Sequence, residues 1–120
     1  MGLRVGHVAL DVVDLRVVQA FWCAALDVVP VEEDETGVAL PLPGGLTLDL
    51  LRVPERKAGK NRLHLDLRPV EPATQEQEVE RLLALGAVHA DVGQGEDVTW
   101  VVLADPEGNE FCVLRGQTTA

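Results

Sequence analysis

Two periods of apolar and polar residues succeed one another along the chain. From Leu3 to Val12 the residues are mostly apolar, interrupted at Arg4, His7 and Asp11, which predicts a largely buried strand. Asp14 then stands where a helix N-cap belongs. Leu15, Val18, Phe21, Trp22, Ala25 and Leu26 recur at helical spacing, predicting an amphipathic helix of about three turns. Val28 to Glu33 and Gly37 to Leu40 read as a short strand pair. Past the turn formers of Pro41–Gly45, Leu46 to Val53 alternates as a further strand. Pro54 to Asn61, PERKAGKN, has turn formers and charges but no apolar period and reads as a loop.

The pattern then begins again. Arg62 to Arg68 alternates strictly, Glu71-Pro72 is expected to open a helix with proline in its first turn, and Val79, Leu82, Leu83 and Leu85 form that helix's apolar stripe, stopped by Gly86. Strands follow at Val88–Val92, Val98–Leu103 and Glu110–Leu114, separated by Gly93-Gln94-Gly95 and by the turn Asp105-Pro106-Glu107-Gly108-Asn109. Written as elements this is βαβββ twice, and the halves align with His7 and His64 in register, 57 residues apart. One helix covers only one face of a four-stranded sheet. The expected fold is therefore α+β: a single domain over residues 1–120 built of two modules, 1–54 and 61–116, forming a curved eight-stranded mixed sheet with a concave ligand cleft.

Alternation along the strands assigns their faces. Leu63, Leu65 and Leu67 take the core, leaving Arg62, His64, Asp66 and Arg68 opposite. By the same parity Val8 and Leu10 oppose His7, Ala9 and Asp11; Leu46, Leu48 and Leu50 oppose Thr47, Asp49 and Leu51; Phe111 and Val113 oppose Glu110, Cys112 and Leu114. The concave face thus collects His7, Asp49, His64 and Cys112 from four strands.

Composition narrows the function classes. In 120 residues, 20 acidic side chains against 10 basic ones give a net charge of −10, which argues against nucleic acid and anionic membrane surfaces as partners. No apolar run is long enough for a membrane span, and the first residues run into a strand pattern instead of a signal peptide, so a cytoplasmic protein is expected. Cys23 and Cys112 lie in apolar runs and read as buried thiols. There is no nucleophilic triad, phosphate loop or dinucleotide fingerprint. Six of the ten basic residues fall between Arg52 and Arg68. Lys57, Lys60 and Arg62 lead directly into the His64 strand and are candidates to meet an anionic substrate, a carboxylate or phosphate, at the mouth of the cleft, with a solvated loop as the alternative.

The stretches GHVALDVVDL, AFWCAALD, VPERKAGKNRLHLDL and DPEGNEFCVL, in that order, resemble the vicinal oxygen chelate superfamily of glyoxalases, bleomycin-resistance proteins and extradiol dioxygenases, and within it the compact bacterial glyoxalase-like branch. Metal-dependent members take ligands from the first, fourth, fifth and eighth strands, typically His or Gln, Glu, His and Glu. The resemblance carries these onto His7, Asp49, His64 and Cys112, so that one carboxylate is shortened and another becomes a thiol. Two imidazoles and a carboxylate suit Fe, Mn, Ni or Zn as divalent ions, and a thiolate tilts the preference to zinc or another softer ion. Glu110 shares the parity of Cys112 and is a candidate fourth ligand or catalytic base.

Two functions fit. One is a metal-dependent lyase, isomerase or dioxygenase acting on an oxygen-bearing small molecule. The other is a metal-free protein that sequesters a small molecule, with His7 and His64 as polar residues of its cleft. In either, Arg62 and Arg68 are candidates to meet an anionic group, with a solvated face as the alternative. Trp100 is either core or the aromatic wall for a flat ligand. Trp22 is expected in the core and His89 on the surface. The resemblance further implies a homodimer.

Overall fold

The protein is described by a computed structural model over residues 2–119; Met1 and Ala120, the ends of the expected domain, lie outside the described residues. It divides into two compact units, one ending at Arg56 and one beginning at Lys57.

The first unit contains β1 (His7–Val12), α1 (Leu15–Leu26), β2 (Gly37–Pro41) and β3 (Thr47–Arg52). Asp14 caps α1 by accepting the Val17 N–H at 3.3 Å, and the helix ends at Asp27 in the left-handed conformation. Leu15, Val18, Phe21, Trp22 and Ala25 form its buried stripe and pack on β2 and β3, whose Val38, Leu40, Leu48 and Leu50 are likewise buried. Phe21 and Trp22 meet edge to face with centroids 5.1 Å apart. The sheet order is β1-β3-β2, with β1 parallel and β2 antiparallel to the central β3. Gly37 is required here because a Cβ would lie 2.4 Å from the Leu50 carbonyl oxygen.

The second unit contains β4 (Asp66–Leu67), α2 (Gln75–Leu85), β5 (Val88–His89), β6 (Val101–Ala104) and β7 (Glu110–Val113), ordered β4-β7-β6-β5. Again the opening strand runs parallel to the closing one, and the strand before it is antiparallel. Thr74 and Gln77 form a reciprocal capping box at the start of α2, and Gly86 closes it at φ 119°. Leu82 is the buried residue of α2, against five for α1. The core continues through Leu103, Phe111 and Val113. Between β6 and β7 the buried Asp105 carboxylate accepts the backbone N–H groups of Glu107 and Asn109, at 2.9 and 3.0 Å, and the Asn109 amide.

The described strands form a sheet of three and a sheet of four, where eight in one sheet were expected. Val28–Glu33 is reduced to a bridge between Val31 and Ala39, because Pro30 cannot donate to a ladder and Glu32 sits at φ 53°. Arg62–Arg68 pairs only at Asp66–Leu67, and Leu63, expected in the core, is exposed. Leu3 and Val5 precede β1 and are exposed as well. On either side of Gly93 and Gly95, which adopt positive φ, Val88–Val92 is shortened to Val88–His89 and the next strand begins only at Val101. The Glu71-Pro72 start for the second helix is also corrected: those residues form a turn, and the helix begins at the Thr74 cap. Trp22 is in the core and His89 is exposed, as expected. Among the described residues no helix is long and apolar enough to cross a membrane.

Candidate functional site

Strand register in the second unit places side chains in rows on one sheet face. Asp66 of β4 is opposite Cys112 of β7, which is opposite Val102 of β6. Two residues further along, Leu114 and Trp100 continue the same face. Two residues back lie Glu110 and, leading into β4, His64. These side chains line a cavity of about 340 Å³, together with Lys60, Asn61 and Val92. The wall is polar on the β4 side and apolar on the β6 side, with β7 between.

His64 Nε2 stands 3.2 Å from Asp66 Oδ1. The buried Cys112 thiol donates to Asp66, and its pKa is pushed up to about 11 by burial and then by the Asp66 charge. Ligand atoms of His64, Asp66 and Cys112 lie within 4.8 Å of one another. A nitrogen, an oxygen and a sulfur donor at that separation fit a divalent ion of the zinc type with positions left open. The cysteine proton is lost when a metal binds.

Glu110 makes an ion pair with Lys57 at 2.5 Å, and its carboxylate oxygens accept the Asn61 N–H at 3.1 and 3.3 Å. Burial pushes its carboxyl up, but the Lys57 ammonium and the Asn61 N–H outweigh burial and hold it below its ordinary range. It is ionised at neutral pH, with its lone pairs already engaged. Gln75 of α2 donates to the carbonyls of Thr99 and Val113, both at 2.9 Å, each one residue before a cavity residue.

The remaining candidates divide between the two units. His7 Nδ1 is 2.8 Å from Asp49 Oδ2 in the first unit, a pair set up by the parallel β1–β3 register. Arg62 is exposed and is not among the cavity-lining residues, and the Arg68 guanidinium donates to the Gly116 carbonyl at 3.2 Å. Trp100 is a cavity wall residue. Sequence reasoning placed Asp66 on the correct face without giving it a role; its signal was the parity it shares with His64 in His64-Leu65-Asp66. Lys60, a candidate to meet an anionic group, lines the cavity, and so does its loop neighbour Asn61, for which the sequence offers no role. Nothing in the sequence links Lys57 to Glu110, 53 residues away.

Residues 7–114 match the model of the glyoxalase-like domain, and the chain belongs to that family and through it to the vicinal oxygen chelate superfamily. Its fold is the α+β fold of that family. An Agrobacterium tumefaciens protein solved by solution NMR is similar at a TM-score of 0.75 and 20% identity, covering 95% of this chain and 98% of that one. A Burkholderia phytofirmans enzyme of the glyoxalase/bleomycin resistance protein/dioxygenase family has a TM-score of 0.70 and 18% identity, with 90% and 94% covered. A mutant of the fosfomycin resistance protein FosX of Listeria monocytogenes, complexed with Mn(II) and 1S,2S-dihydroxypropylphosphonic acid, has a TM-score of 0.75 and 17% identity, with 97% and 92% covered. No curated protein matches the chain by sequence.

Proposed function

We propose that the protein is a small-molecule enzyme of the glyoxalase-like kind, working at the cavity of the second unit with a divalent metal held by His64, Asp66 and Cys112. The observation that carries this reading is the convergence of those three ligand atoms within 4.8 Å on a cavity wall. A metal bound there supplies Lewis-acid polarisation of a substrate oxygen. The chain's own residues do the rest. Asp66 orients the His64 ring through its contact with Nε2, and Trp100, Val102 and Leu114 exclude water from one side of the substrate. Glu110 holds the segment 57–61 against the cavity through Lys57 and Asn61. That role suits it better than general base, which calls for a pKa near the working pH. The fold family supports lyase, isomerase or dioxygenase chemistry alike.

Metal analysis of protein purified without a histidine tag tests the proposal. About one equivalent is expected in the wild type, with loss in His64→Ala and Cys112→Ser. Cobalt(II) loading should give a thiolate charge-transfer band that Cys112→Ser lacks. Equal trace metal in all three proteins overturns the assignment.

The second reading, a metal-free binder, is favoured by one observation: the Cys112 thiol and His64 both already engage the Asp66 carboxylate. Stabilisation by aromatic compounds in the presence of chelator, with no response to divalent ions, supports this reading over the enzyme.

A further inference from the structure

The charged groups around the cavity are unequally engaged. Of its two carboxylates, Glu110 is matched by Lys57 and the Asn61 N–H, and Asp66 is faced by His64 and the Cys112 thiol. Lys60 also lines the cavity, and its ammonium has no hydrogen-bond or ion-pair partner among the described residues. Two carboxylates, Asp66 and Glu110, and two ammonium groups, Lys57 and Lys60, thus meet at the cavity, and in a protein of net charge −10 the charged group left unengaged there is the Lys60 ammonium. Lys60 and Asn61 lead into β4, whereas Trp100 and Val102 lie across β7 on the β6 side. A ligand spanning the cavity meets a cation at one side and an aromatic, aliphatic wall at the other.

We propose that the cavity takes a planar aromatic carboxylate, its acid group against the Lys60 ammonium and its ring against Trp100, Val102 and Leu114. A volume of about 340 Å³ accommodates a two-ring acid. The inference rests on the cavity being the ligand site and does not require the metal. Recognition by Lys60 gives a preference for the acid over its neutral amide, and Trp100 contributes to both because it meets the ring.

Isothermal calorimetry on full-length protein kept in EDTA, titrated with 2-naphthoate and with 2-naphthamide, tests this, the chelator preventing the acid from binding through a metal. Wild type should prefer the acid. Lys60→Gln should lower its affinity about fivefold and leave the amide unchanged, the size expected of a partly exposed ion pair. Trp100→Ala should weaken both ligands, by about tenfold. Melting curves of each variant confirm that the fold is retained. Equal affinity of wild type for acid and amide, an unchanged acid affinity in Lys60→Gln, or no binding of either ligand overturns the proposal. Its failure is separable from failure of the metal assignment: metal content lost in His64→Ala beside an absent acid preference sinks only the ligand class, and acid selectivity beside trace metal throughout sinks only the metal.

Discussion

In the first unit His7 opens β1 and meets Asp49 of the neighbouring β3, two positions on in the parallel register. In the second unit the same register puts Cys112 where Asp49 stood, and the carboxylate reappears on the opening strand as Asp66, the counterpart of Ala9. The backbone ladder was kept while the acid crossed from one strand to the next. A closed two-member pair results in one unit, with His7 mostly exposed. In the other, a three-member cluster lies on a cavity wall. The helices differ in the complementary sense: α1 buries five residues including both members of an aromatic pair, and α2 buries Leu82. The first unit thus concentrates packing on its helix, and the second concentrates chemistry on its sheet.

The largest test of that contrast is in the cores. Trp22→Ala should destabilise the protein by about 3–5 kcal/mol, and Leu82→Ala should fall toward the lower end of about 2–5 kcal/mol, by urea titration. A larger loss for Leu82 would break the contrast in packing. Next is thiol reactivity. With a pKa of about 11 in place of 9.0, Cys112 of the metal-free folded protein holds about a hundredfold less thiolate at pH 8 than an unperturbed thiol, so iodoacetamide should label it slowly in the presence of chelator. The sign is that of a raised acid: the folded state is favoured below pH 9, and this advantage is lost as the pH rises through about 11. Asp66→Asn should accelerate labelling by removing the charge.

The strand exchange itself can be copied. Ala9→Asp combined with Asp49→Cys would give the first unit the His–Asp–Cys arrangement of the second, and bound zinc should rise from about one to about two equivalents by mass spectrometry. An unchanged stoichiometry would show that register alone does not make the site. The smallest effect concerns Glu110. Its carboxyl is held below its ordinary range, so the tie to Lys57 and Asn61 is present at neutral pH and is lost as the pH falls through that depressed value. The protection factor of the Asn61 amide, corrected for the intrinsic exchange rate at each pH, should fall on acidification, and Glu110→Gln should abolish that pH dependence at the cost of lower protection throughout.

Strict alternation made β3 legible, since Leu48 and Leu50 could point only one way against the half-exposed Thr47 and Asp49. The same parity put Asp66 and Cys112 on one face before any pairing was known. What failed did so locally. Val28–Glu33 has strand composition, yet Pro30 and the left-handed Glu32 leave it a single bridge. Leu63 carries the right parity and still lies in solvent, because the ladder begins three residues later. The Glu71-Pro72 signal was outweighed by the two hydrogen bonds of the Thr74–Gln77 box. Lys57 and Lys60 were legible as candidates for an anion, but that Lys57 pairs with Glu110 was not, because loop charges have no periodicity to say what they face. Arg68, drawn to the same face as His64 by parity, spends its guanidinium on a carbonyl near the C-terminus.

One amide of α2 has a mechanical meaning. Gln75 grips the carbonyls of Thr99 and Val113 with a single nitrogen, at the end of the β6–β7 ladder, whose last pair is Val101 with Val113. It acts as a strut, joining the bases of Trp100 and Leu114 to the first turn of the helix. Any ligand that pushes the indole aside must strain that joint, so the stiffness of the cavity's aromatic side is set by a residue outside it. Gln75→Ala would leave every lining side chain in place and give that wall a hinge.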